Sequence, residues 1–334
     1  MLAELLRIVD DDPDDDPDGS RDDDPWPLLR ELAAAGDPAT AASARTELER
    51  YVHERNGYGR NLMAHLLARL SGADVLPRLL RLYADALRDG DDDGEQLGMA
   101  VGLATRADPP ACRAVVLPLL DDGDPYLRRA ALETLGHMFE APDLEPLRAA
   151  AADPDPEIRR TALGALPAVH LDPRAYALVV TALRDPDAWV RDQAVLLLAW
   201  SAPPAVVDHL VELTADPAWP VRTVLGEAIG RRAAHSDRVP VAAAALGVLL
   251  DDPESSVRAG AVRGLGLLGV PPDALRSRVD DPDWWVRAAV ADVLAAALPR
   301  WPPARPLLAR LSEDSNPTVR ATASAALRNS GPAS

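Results

Sequence analysis

Every one of the 35 Lys+Arg side chains in the 334 residues is an arginine, and the chain contains no lysine. That excludes a phosphate loop closed by a lysine and a Schiff-base nucleophile. The six histidines, His53, His65, His137, His170, His209 and His235, stand more than four residues from one another and from the lone Cys112. Zinc ligands pair at shorter spacing, so no zinc site is expected, and each histidine reads as a loop or groove residue. No Gly-x-Ser-x-Gly nucleophile elbow occurs. Gly264-Leu-Gly-Leu-Leu-Gly269 fits a dinucleotide fingerprint in spelling. A working fingerprint follows a strand, and here the glycines fall inside a helical segment, where they let helices approach and then end the helix. Asp14–Gly19 and Asp89–Gly94 open like calcium loops. Pro25 and Ala100 stand where the bidentate acid of such a loop is required, so both segments read as solvated acidic turns.

The positions that do repeat are scaffolding positions. Arginines at 128, 159, 191, 222, 258, 287 and 320 recur about every thirty residues, the spacing of stacked supersecondary units. Six residues before each stands an aspartate: Asp122, Asp153, Asp185, Asp216, Asp252, Asp281 and Asp314. Its carboxylate is expected to cap the first turn of a helix, with the proline that follows in five of the seven at the first helical position. Offsets −1, +3 and +7 from the arginine are aliphatic or alanine throughout, for example Val190, Ala194 and Leu198. They share one helical face, which must be buried. A second apolar segment precedes each of these, opened by Pro110, Pro142, Pro173, Pro204, Pro240, Pro272 or Pro303. Each unit is thus a pair of antiparallel helices that can bury its stripe only against its neighbours. No segment alternates with period two, so no sheet is expected.

With these residues in view, the chain resembles the HEAT-repeat proteins, in particular the short bacterial repeats grouped with the phycobilin lyases. The resemblance spans about residues 108–330. It implies an all-α, right-handed α-solenoid of about nine stacked helix pairs. Residues 25–107 keep the helix rhythm without the signature and read as diverged N-terminal repeats. Residues 1–24 read as a short amphipathic helix, with Leu2, Leu5, Leu6 and Val9 on its stripe and a role as a cap, followed by a disordered acidic tether. Residues 108–334 hold the regular repeats and a C-terminal cap. The repeated arginines and aspartates are expected to ladder between adjacent repeats.

In that family the second helix of each pair lines the concave face. Carried over, this puts offsets +1, +5 and +9 from the arginines in a groove: Arg129, Glu133, His137, Arg160, Asp192, Trp200, Glu227, Arg231, Arg263 and Asp292. The stripe mixes both charges with an aromatic ring, as a protein or peptide partner requires. Trp189, Trp219, Trp284 and Trp285 sit just before the arginines and are expected to pack over the seams between repeats rather than to form an exposed ridge. Half of the net charge of −18 lies in the first 24 residues, and no basic stripe offsets the rest, so a nucleic-acid partner is not expected. No secretory signal, disulfide framework or apolar span appears, which favours a cytoplasmic protein without a membrane partner.

The expected protein is therefore a non-enzymatic scaffold holding a protein or peptide, without catalytic residues, cofactor or metal. The resemblance leaves two other readings open. One is an enzyme or enzyme subunit of the same fold, bilin-lyase-like or DNA-glycosylase-like. The other is an acidic inhibitor or immunity-type protein for a basic partner.

Overall fold

A computed structural model describes residues 1–10, 24–90, 94–138, 144–166, 172–269 and 272–329. The acidic tether, Asp14–Gly19, the middle of Asp89–Gly94, Pro142 and His170 lie outside them. Among the described residues there are α-helices and 3₁₀ turns and no strand. Contacts divide the chain into two compact units, Met1–Leu166 and Pro167–Ser334, so the division falls inside the run of regular repeats.

The first unit contains α1 (Leu2–Asp10), α2 (Pro25–Ala35), α3 (Pro38–Glu54), α4 (Gly57–Ser71), α5 (Leu76–Asp89), α6 (Gly94–Ala107), α7 (Pro109–Val116), α8 (Pro125–Gly136), α9 (Leu144–Ala150) and α10 (Pro156–Gly164). The stripe of α1 buries Leu5 and Val9 completely, and the helix packs on α2 and α4. At its end Asp10 accepts from the Tyr51 hydroxyl at 2.8 Å and from Arg50 at 3.0 Å, which ties the helix to α3. Further along, α8 packs on α5 and α10 and only lightly on α6. The diverged region is thus less regular than a simple run of pairs.

The second unit contains α11 (Pro173–Ala182), α12 (Ala188–Ser201), α13 (Val207–Leu210), α14 (Trp219–Ala233), α15 (Val239–Leu250), α16 (Ser255–Leu268), α17 (Trp284–Ala297), α18 (Arg305–Leu311) and α19 (Pro317–Asn329). Each second helix packs on the next, α12 on α14, α14 on α16, α16 on α17 and α17 on α19. Across both units the −1, +3 and +7 positions are buried, with the single exception of Leu327 in the last helix. The first helix of the shortest repeat, at Pro272–Asp280, is 3₁₀ rather than α. A 3₁₀ helix rises about 2.0 Å per residue against 1.5 Å, so fewer residues cover the same layer.

The capping residue differs from the expected one. Asp124, Asp155, Asp187 and Asp283, four before the arginine, cap their helices; Asp187, for example, accepts from the Trp189 N–H at 2.8 Å. The aspartate six before it instead closes a turn outside the helix, as where Asp185 accepts from the Asp187 N–H at 2.9 Å. In five repeats a following proline reinforces the shift, because it disfavours helical backbone at the residue it follows, while Asp122 and Asp314 make the same turn before Gly123 and Ser315. Where Pro154, Pro186, Pro217, Pro253 and Pro282 occur they lie in this turn, and not at the first helical position.

The arginines do ladder. Arg191 donates from Nε and Nη2 to both carboxylate oxygens of Asp216, at 2.7 and 2.8 Å, and from Nη1 to the Asp185 carbonyl at 2.8 Å. Arg222–Asp252, Arg258–Asp281 and Arg287–Asp314 repeat this geometry. The Arg128–Asp153 rung is looser, at 3.4 Å. Each rung joins one second helix to the turn that precedes the second helix of the next repeat, and the planar guanidinium fork is what allows it.

Candidate functional site

The ten groove candidates lie on second helices in both units. In the second unit the structure brings four of them together. Glu227 and Arg231 of α14, Arg263 of α16 and Asp292 of α17 line one cavity of about 590 Å³, within the size range of ligand clefts. Small residues make the room: Gly266, Ala296 and Ala297 form part of the wall. Gly266 also allows α17 to approach, since a Cβ there would stand 2.8 Å from a Val293 methyl. Leu267, Gly269, Val293, Arg300 and Trp301 complete the lining.

Within this cavity Arg263 donates to Glu227. Arg231 instead lies over the ring of Trp200, 4.1 Å from its centroid, a cation–π contact. Trp200 is 69% exposed although it is among the largest apolar side chains in the protein. Partial desolvation raises the Asp292 carboxyl above its ordinary value, against the pull of Arg263. Burial likewise raises Asp192, which lies on α12 outside the cavity.

The tryptophans near the arginines are only half covered. Trp189, Trp219, Trp284 and Trp285 are 42–59% exposed, and the last two meet edge to face at 5.3 Å. They occupy the first turns of α12, α14 and α17, with their rings in solvent. The position explains this: offsets −2 and −3 lie off the stripe formed by −1, +3 and +7, so the ring cannot turn inward. On α12, Trp189, Leu196 and Trp200 are all exposed, spaced at helical intervals along one side.

In the first unit the candidates mainly satisfy one another. Arg129 donates to Glu133 at 3.0 Å and approaches Glu157 at 4.0 Å; Arg160 donates to Glu157 at 2.7 Å; Glu133 also accepts from the Tyr83 hydroxyl. Such a closed network leaves few free donors for a partner. His137 is exposed and lies at a second cavity, of about 920 Å³, that no spacing in the chain predicts. His65, expected in a loop or groove, is buried in α4 beside that cavity. Cys112 is fully buried and its thiol is pushed up by that burial, the opposite of a reactive nucleophile.

Leu267 and Ala296 stand at offset +9, so the groove spacing locates them; they escaped notice because only polar and aromatic residues were singled out at those offsets. Arg300 and Trp301 follow the end of α17 and belong to no repeated offset. Gly264-Leu-Gly-Leu-Leu-Gly269 lies in α16, with Gly269 as its left-handed cap at φ 66°. Among the described residues no group of three or more His, Cys, Asp or Glu side chains could hold a metal ion. Among them, too, no helix is long and apolar enough to cross a membrane.

Comparison with known families matches HEAT repeats over residues 84–167, 144–230 and 242–328, well over half of the chain. The chain belongs to the HEAT-repeat family. Importin beta in an ammonium sulfate condition is 16% identical, with a TM-score of 0.60 over 98% of this chain and 51% of that one. Kap121p is 12% identical, with a TM-score of 0.60 over 97% of this chain and 39% of that one. The HEAT-repeat chain thus spans about half of importin beta or less of such relatives, and at these identities the likeness is one of α-solenoid fold. The complex of CpcE and CpcF of phycocyanin lyase from Nostoc sp. PCC7120 is 20% identical, with a TM-score of 0.42 over 65% of this chain and 94% of that one, too low to carry an argument. No curated protein matches the chain.

Proposed function

We propose that this HEAT-repeat protein is a non-enzymatic scaffold that holds a protein segment on the second-helix face of its second unit. The observation that carries the reading is Trp200, 69% exposed and stacked under Arg231 beside the cavity lined by Glu227, Arg263 and Asp292. An exposed tryptophan is costly to solvate and is held there in one orientation by a cation. Aromatic and arginine side chains set beside a pocket are the composition of binding hot spots. The occupant this face suits is an extended or helical peptide with an apolar anchor for the cavity. An acidic residue on it would meet Arg231 and Arg300, neither of which has a carboxylate partner among the described residues.

The test is selection of peptides from a displayed random library on the purified full chain, followed by calorimetry of the selected sequences. Trp200→Ala and Arg231→Ala should weaken them by about 2 kcal/mol or more, roughly thirtyfold, with thermal melts almost unchanged. Leu198→Ala, in the same helix but fully buried, should instead cost roughly 2–5 kcal/mol of stability. Peptides that bind equally well to the Trp200 and Arg231 variants place the partner elsewhere and refute the groove.

A further inference from the structure

The first unit contains a second cavity, of about 920 Å³, unrelated to the groove just described. Its walls come mainly from the diverged repeats, Trp26 of α2, His65 and Arg69 of α4, Tyr83 of α5, and Met99, Gly102 and Arg106 of α6, with Pro109, His137 and Met138 added from the regular repeats. Three observations there have no structural account. His65 is only 5% exposed, yet neither ring nitrogen has a hydrogen-bond partner. Buried polar atoms are normally satisfied, and leaving two unmet in a cavity wall costs free energy that a core leucine would not. Second, Arg69 and Arg106 reach the same cavity and neither has an ion-pair or hydrogen-bond partner among the described residues. In a chain of net charge −18 two free cations at one cavity are unusual, and only Glu95 in the lining opposes them. Third, Gly102 lies mid-helix in α6 with nothing within 4 Å of where its Cβ would stand. Packing does not require this glycine. It keeps the cavity open at the cost in helix stability that glycine carries.

We propose that this cavity binds a small planar aromatic carboxylate. Its ring would lie between Trp26, Tyr83 and Met99, and its carboxylate would face Arg69 and Arg106. The Trp26 ring already meets His65 edge to face, 5.2 Å between centroids, which fixes the imidazole plane. Burial lowers the His65 pKa and the charge of Arg69 lowers it further, while Gln96 pulls weakly the other way without hydrogen-bond geometry. The ring is therefore neutral near pH 7 and adds no positive charge behind the wall. Two cations beside an aromatic floor match a ligand that is flat at one end and anionic at the other. An acyclic anion would leave the floor uncovered, and an uncharged aromatic would leave the arginines unmet.

Calorimetry on the full chain with indole-3-acetate, 2-naphthoate and 4-hydroxyphenylacetate, each beside its uncharged amide, tests this. At least one acid should bind saturably at one site, about tenfold or more tighter than its amide, and acetate should not bind. Gly102→Leu should abolish that binding and keep or raise the melting temperature, because the new side chain fills the cavity rather than striking a neighbour. His65→Leu, which removes the two unmet ring nitrogens behind the cavity wall, should leave the melt unchanged or higher. Arg69→Gln combined with Arg106→Gln should bring the acid down to the affinity of the amide. The proposal falls if none of the three acids binds at about millimolar concentration, if acid and amide bind alike, or if Gly102→Leu leaves binding intact. It also falls if a peptide ending in tryptophan binds more tightly than all the free acids, because the occupant is then a chain terminus.

Discussion

At the scale of single residues, the rung between Arg258 and Asp281 decides most. The Asp281 side chain is fully buried; it accepts twice from Arg258, at 2.8 Å each, and once from the Asp283 N–H at 3.0 Å. Removing it strands a buried guanidinium, so Asp281→Ala should cost about 3–5 kcal/mol, read from denaturant unfolding. Asp281→Asn keeps an oxygen for the backbone donor and should cost less. Burial is the largest influence on the carboxyls of Asp252 and Asp281 and acts to raise them, but the arginine hydrogen bonds, the backbone N–H bonds and the arginine charges together outweigh it, and both lie below the ordinary range. The Arg287 hydrogen bonds hold Asp314 low as well. A carboxyl depressed on folding binds its proton more weakly in the native state, so acid favours unfolding. The rungs' contribution should be complete above the unfolded value of about pH 4 and fade as pH falls below it. Asp281→Asn should flatten that part of the pH–stability curve, and an unchanged slope would remove the rung from the acid response. The spacing of these residues made a ladder readable in advance. Which aspartate caps the helix was not readable, because two aspartates stand two residues apart in most repeats, with a proline or, at Gly123, a glycine between them.

At the scale of elements, α14 and α16 show how close approach is obtained. Gly226 and Gly230 face Gly260 and Gly264, and a Cβ on any of the four would run into backbone of the opposite helix. Gly264→Ala should therefore destabilise the protein by about 1–3 kcal/mol or more by overpacking. Gly247 is a fitting control, mid-helix in α15 with nothing near its absent Cβ. Gly247→Ala should stabilise by about 0.5–1 kcal/mol, the ordinary helix preference for alanine. Two melts with the same sign would show that the glycines do not set the helix spacing. The helices themselves were legible from the −1, +3, +7 stripe. The candidate site was legible only in part: Trp200, Glu227, Arg231, Arg263 and Asp292 share helical offsets, whereas the cavity that four of them line forms only when the helices pack. The exposure of Trp189, Trp219, Trp284 and Trp285 follows from offsets −2 and −3, which lie off the buried stripe. The first-unit cavity was not legible, because Trp26, His65, Tyr83 and Arg106 come from helices that lack the repeat signature and meet only in three dimensions.

At the scale of the whole molecule, repeat stacking makes stability local. A repeat touches only its neighbours, so its folding free energy is close to a sum of intrinsic and interface terms, and a lost interface is felt first next door. The rungs Arg258–Asp281 and Arg287–Asp314 belong to the interfaces around α16, α17 and α19 of the second unit, whereas α3 to α6 of the first unit hold together through fully buried side chains such as Tyr51, Leu62, Leu79 and Leu97. Breaking a rung should thus open the chain unevenly. In Asp281→Ala, amide exchange should accelerate through α16, α17 and α19 by up to the full 3–5 kcal/mol equivalent while α3 to α6 keep their wild-type protection. The measurement is native-state hydrogen exchange followed by mass spectrometry on both proteins. A uniform loss of protection across all helices would mean that the chain unfolds as one cooperative block, and nearest-neighbour stacking would then be the wrong account of what holds these repeats together.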